Sequence, residues 1–162
     1  MTQELVIVLA VTAALGSSVV AGFFFAFSVC VMRALGRLPR DQGIAAMQSI
    51  NVAVLNPWFF TAFFGTAAVS MILAVLALFT WTASGARSLL VGSSLYLVGS
   101  IFVTLACNVP LNDALAAVNP HSAEGAALWT RYLANWTAWN HVRTAASFGA
   151  AALFIAAVCM RA

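Results

Sequence analysis

The chain contains no lysine, and only 7% of its 162 residues carry a charge. A soluble domain has roughly a quarter charged residues, so a sequence that is 64% hydrophobic lacks the polar surface to cover a water-facing globule. The basic character is equally thin. Seven arginines against four acids leave a net charge of +3, and the arginines fall one or a few per loop. A nucleic-acid partner requires a basic stripe on one face, so that class is excluded. The three cysteines, Cys30, Cys107 and Cys159, lie far apart in or beside apolar runs with no metal-ligand spacing. They read as small buried hydrophobes. The N-terminus lacks the positive region of a secretory signal, and its apolar run reads as an uncleaved span.

Long charge-free runs are what remain. A charge at the bilayer centre costs roughly 2.5 to 3.5 kcal/mol on insertion scales, and a crossing helix needs about 20 apolar residues. The uncharged stretches Leu5 to Met32, Gln42 to Ala86, Ser88 to Asn112 and Thr144 to Met160 therefore predict four crossings, over about 5–32, 57–82, 88–107 and 140–160. Polar residues interrupt the first third of the longest stretch, so Gln42 to Val54 reads as a helix near the interface. The second span then starts at Pro57, with Asn56 as its N-cap. The expected fold is all-α: one transmembrane domain over 1–162, an integral membrane four-helix bundle with additional interfacial helices in its two long loops.

Those loops, Arg33 to Asn56 and Asn108 to about Trp139, must share one side of the membrane, while Ser84-Gly85 makes a tight turn opposite. Arg33, Arg37, Arg40, Arg131 and Arg143 lie on the long-loop side, against Arg87 and Arg161 on the other. The positive-inside rule puts the long loops in the cytoplasm and the termini on the opposite side. In the second loop Ser122 suits an N-cap, and Trp129, Tyr132, Trp136, Trp139 and Arg143 follow at alternating steps of three and four. That spacing predicts a helix running from about Ala123 into the fourth span, with those residues on one stripe.

Polar residues gather at the long-loop end of the bundle. Asn51 and Asn56 precede the second span, Asn108, Asn112 and Asp113 end the third, and Asn140, His141 and Arg143 open the fourth. Polar groups at membrane depth pair or face a cavity, so this convergence marks a candidate binding site that includes Trp136, Trp139 and Tyr132. Helix caps, interfacial aromatic belts and a snorkelling arginine are the structural alternative. His141 could act as a general base or be an interfacial hydrogen-bonding residue. A protein-only metal site is not expected, since two histidines and sparse carboxylates barely reach three ligands. Haem held by His121 and His141, or a bound quinone or lipid, is the alternative without oxygenase chemistry. Small residues along the first, third and fourth helices allow close packing and admit a homo-oligomer.

At Asn108-Val-Pro-Leu-Asn112 and Trp136-Thr-Ala-Trp-Asn-His-Val-Arg-Thr144 the sequence resembles the anthrone oxygenase-like family of small four-span membrane proteins. The resemblance extends to Gly22-Phe-Phe-Phe-Ala26, Asn51 and Asn56-Pro57. It implies a membrane-embedded monooxygenase that converts an anthrone to a quinone with O2 and no cofactor, with a hydrophobic aromatic molecule as partner. Such chemistry requires a base, donors for a developing enolate oxygen and a dry aromatic slot. Here those roles are expected of His141 as base, Arg143, Asn140 and Asn112 as donors, and Trp136 and Trp139 as walls.

Overall fold

The computed structural model describes residues 2–161. The described residues form five helices: α1, Gln3–Leu35; α2, Arg40–Ala53; α3, Pro57–Phe79; α4, Ala86–Ala116; and α5, Ala123–Cys159. Local chemistry sets the starts. Asn56 accepts a hydrogen bond from the Phe59 amide at 3.0 Å with Pro57 in the first turn of α3, and Ser122 accepts from the Gly125 amide at 2.9 Å at the head of α5. Both satisfy an amide that the helix cannot. Gly85, at φ 75°, makes the left-handed turn into α4 that a Cβ would strain.

α1, α3, α4 and α5 are long and apolar enough to cross a membrane. They pack as an up-and-down ring in which α1 lies between α5 and α3, and α4 closes the ring against α3 and α5. Their outward faces carry Leu15, Val19, Phe79, Val98, Phe102 and Ile155. An apolar exterior on this scale belongs in lipid, and the chain is a multi-pass membrane protein.

The interior has two parts. One core fills the ring around Val20, Phe24, Phe63, Leu73, Tyr96 and Phe154. The second, around Ile44, Met47, Leu115, Trp129, Tyr132 and Trp136, lies at the end where α2 crosses the bundle. There Gln48 donates to the carbonyls of Leu115 and Val118 at 2.9 and 3.1 Å, and Asp41 meets His121 at 3.4 Å. At the other end Gln3 Nε2 donates to the Arg161 carbonyl, joining α1 to the residues after α5.

The second long loop is shorter than the sequence predicts. Helix α4 continues through Asn108 and Pro110 to Ala116 instead of ending near Cys107. The backbone widens into a π-helical turn over Thr104–Asn108, so Pro110 falls at the start of the next α-helical segment, where a missing N–H costs little. Two further π stretches, Phe27–Val31 in α1 and Leu95–Phe102 in α4, lie in the same half of the bundle or next to it.

Candidate functional site

Helix α5 supplies the centre of the site. Trp129, Tyr132, Trp136, Asn140, Arg143 and Ser147 form its buried stripe. Trp129 stacks on Tyr132 and Tyr132 on Trp136, with centroids 5.6 and 6.1 Å apart. Close approach of α4 makes the rest possible. A Cβ on Gly99 would come within 2.3 Å of the Ala146 Cβ, so only glycine allows the helices this near. One turn on, Thr104 reaches Arg143.

Arg143 is only 4% exposed, in the middle of this stripe. Its Nη1 donates to Thr104 Oγ1 at 3.1 Å and its Nη2 to Asn140 Oδ1 at 2.6 Å. The guanidinium carbon lies 4.1 Å from the Phe24 ring centroid and 5.1 Å from that of Trp136, two cation–π contacts. Its Nε has no partner. Among the described residues the one close contact between a basic and an acidic side chain is His121–Asp41, so no carboxylate compensates Arg143. A buried cation without a counter-ion costs several kcal/mol, and such residues mark ligand or ion sites.

The asparagines differ in role. Asn140 is fully buried and donates to the Phe24 carbonyl and to Ser28 Oγ, both at 2.7 Å, locking α5 to α1 beside the π turn. Asn112 Oδ1 accepts from Tyr132 Oη and Trp136 Nε1, both at 2.8 Å. That oxygen thus holds two aromatic side chains in place. Asn108 is buried and donates to the Trp136 carbonyl at 3.2 Å, facing α5. Asn56 caps α3. Asn51 sits beside the Tyr132 hydroxyl, yet its Nδ2 completes no hydrogen bond.

Asn51, Asn112, Trp136 and Arg143 border a cavity of about 280 Å³. Phe23, Phe24, Phe27, Phe59, Phe63 and Trp136 supply its aromatic wall, with Phe59 and Phe63 stacked 5.4 Å apart. Arg143, Asn51, Asn112 and Thr104 are the polar groups on the wall. The volume is roughly twice the 150 Å³ apolar cavity that takes up one benzene ring. It suits a flat molecule of two or three fused rings with one polar edge.

Six expected site residues do not line this space: Asn140, Asn108, Tyr132 and Asn56 stand behind the wall as hydrogen-bonding partners or a helix cap, and His141 and Trp139 face away. His141 is exposed on the outer face of α5, because two residues on an α-helix are about 200° apart, and Arg143 takes the inward direction. His141, expected as the base, therefore stands outside the cavity. Trp139, 42% exposed, lies at the edge of the stripe and forms no wall; Asn140 takes the inward position. The two histidines named for a haem stand far apart. His121 is in the connection before α5, and the rise from Ala123 to His141 is about 27 Å. Asn112, expected as an oxyanion donor, lines the cavity and uses its Oδ1 to anchor Tyr132 and Trp136. Sequence reasoning missed the phenylalanines of α1 and α3 as walls, although Phe23 and Phe27, and Phe59 and Phe63, stand four apart on one helix face.

The anthrone oxygenase family model matches residues 58–153, more than half the chain. The chain belongs to that family. No curated protein and no solved structure matches it. The matched segment runs from the first turn of α3 into α5 and contains Phe59, Phe63, Thr104, Asn112, Asn140 and Arg143. In this family member α1 and α2 complete the site with Phe23, Phe24 and Asn51, which lie outside the matched segment.

Proposed function

We propose that this chain oxidises an anthrone-like polycyclic aromatic substrate to a quinone with O2, as a membrane-embedded oxygenase whose substrate itself reduces the oxygen. The observation that carries the reading is Arg143, an uncompensated cation with a free Nε, on the wall of an aromatic cavity. A site of this kind favours a ligand that is neutral on arrival and becomes anionic in place. An anthrone does so when it loses a proton from the methylene between its rings, leaving an enolate whose charge rests largely on oxygen.

In this reading Arg143 faces the enolate oxygen, aided by the unpaired Asn51 amide, and the Phe and Trp rings hold the fused rings flat. The cavity wall offers no carboxylate or imidazole, so the proton passes to water and the protein acts by stabilising the anion. The carbanion gives one electron to O2, the radical pair joins to form a C–O bond, and the resulting peroxide takes up a proton. Loss of the second methylene proton breaks the O–O bond and expels hydroxide. The balance is one anthrone and one O2 to one quinone and one water, with a single oxygen atom inserted.

Turnover of emodin anthrone by purified chain in lipid nanodiscs, read as quinone absorbance with oxygen uptake, tests the proposal. Consumption of one O2 per quinone, with one labelled oxygen incorporated from ¹⁸O2, is expected. Equal rates for wild type, Arg143→Met and protein-free nanodiscs would overturn it.

A further inference from the structure

The rim of the cavity says how a ligand reaches it. Leu55, Phe60, Phe64 and Leu105 all line the cavity, yet they are 64, 40, 45 and 54% exposed on the outside of the bundle. Residues that border an internal space and the exterior together form a mouth. One edge is Phe60 and Phe64, a turn apart on α3; the other is Leu105 and Val109, a turn apart on α4. Helix α3 packs on α4 along Ala86–Phe102, and the mouth opens just beyond that contact, where α4 enters its second π turn.

Depth decides what the mouth faces. Trp58, 87% exposed at the start of α3, suits the headgroup level, and Phe60 and Phe64 follow about 3 and 9 Å further along the helix. The aqueous end is covered by α2, where Ile44, Met47, Leu115, Trp129 and Tyr132 are all buried and Gln48 ties α2 to the α4 terminus. A molecule coming from water would have to part that layer. One coming from the acyl chains needs only phenylalanine and leucine side chains to turn.

We infer that the cavity is loaded laterally from the hydrocarbon through this gap between α3 and α4, by a neutral flat aromatic dissolved in the bilayer, an inference that rests on the cavity being the substrate chamber. Selection then occurs in two stages. The apolar rim admits the uncharged form, and Arg143 retains it once the proton has left.

The test reads access without turnover. In a background carrying Cys30→Ala, Cys107→Ala and Cys159→Ala, a reporter thiol is placed on the cavity side of α2 by Met47→Cys, with Phe59→Cys on α3 as a second reporter. In nanodiscs, N-phenylmaleimide, which partitions into lipid, is expected to label either reporter at least tenfold faster than a charged methanethiosulfonate of matched solution reactivity. Adding Leu105→Trp, or Phe64→Trp at the opposite edge, is expected to slow the apolar reagent at least fivefold. Equal labelling by both reagents, or a rate unchanged by both tryptophan plugs in proteins that elute and unfold like the parent, overturns lateral loading. If labelling behaves as expected while emodin anthrone is not turned over, the mouth stands and the oxygenase reading fails.

Discussion

Asn140 Oδ1 accepts a 2.6 Å hydrogen bond from Arg143 Nη2 while the same side chain donates to the Phe24 carbonyl and Ser28 of α1. One amide therefore joins the guanidinium to a neighbouring helix without neutralising it. An acid at position 140 would hold Arg143 as well but would cancel its charge, and the attraction for an anion with it.

That relationship separates charge from packing. Arg143→Met should leave the bundle folded, because an apolar side chain in place of a buried ion is often neutral or stabilising, although Asn140 Oδ1 loses a partner at a cost of about 1–3 kcal/mol. Turnover should fall by roughly 10²–10³, the usual effect of removing one oxyanion donor. Anthrone kinetics beside thermal unfolding of the same samples checks both halves.

Asn140→Leu should do the reverse. It breaks two bonds to α1 and one to Arg143, leaving the Ser28 hydroxyl without its Asn140 partner and the Phe24 carbonyl with only its backbone donor inside the bundle. A loss of about 2–4 kcal/mol is expected from these buried groups, seen as a lower midpoint in a denaturant titration.

His141→Ala should change turnover by less than about twofold, since the imidazole lies outside the cavity and a surface substitution of this kind alters stability by only about 0.5 kcal/mol. A tenfold loss of kcat with unchanged folding would restore the imidazole as a base.

Gly99→Ala places a methyl group 2.3 Å from the Ala146 Cβ. The helices must separate, at a typical overpacking cost of about 1–3 kcal/mol. Because Thr104 and Arg143 lie across the same seam, the variant should lose turnover and thermal stability together, as measured in parallel assays.

Sidedness can be read from single thiols. With Arg143 inside the bundle, the positive-inside comparison sets Arg33, Arg37, Arg40 and Arg131 against Arg87 and Arg161, which favours cytoplasmic long loops. In intact cells an impermeant maleimide should label Thr82→Cys and spare Leu38→Cys, both in the cysteine-free background.

Much of the architecture was legible in one dimension because its causes are local or nearly so. Long uncharged runs predict the crossings, Asn56-Pro57 and Ser122 mark helix starts through their own capping chemistry, and the α5 spacing predicts a helix that enters the last span. The end of α4 was less legible: Pro110 usually announces a loop, and only a π turn formed against neighbouring helices lets the chain continue. The site was legible as a place and less so as a set of directions. Asparagines, tryptophans and an arginine collect at one end in the sequence, but His141 and Arg143, two residues apart, cannot share an inward face.

Composition and hydrophobic run length alone determined that this chain lives in a membrane as four crossing helices, since neither a charge in hydrocarbon nor an unpaired backbone amide is tolerable there. Only the tertiary structure decided that Arg143 has no counter-charge among the described residues, that phenylalanines from α1 and α3 complete the cavity beside it, and that exposed side chains of α3 and α4 border that cavity. The physical reason is that a side chain's partners are set by how α1, α3, α4 and α5 turn against one another, and that rotation is a property of their joint packing, written in no single helix.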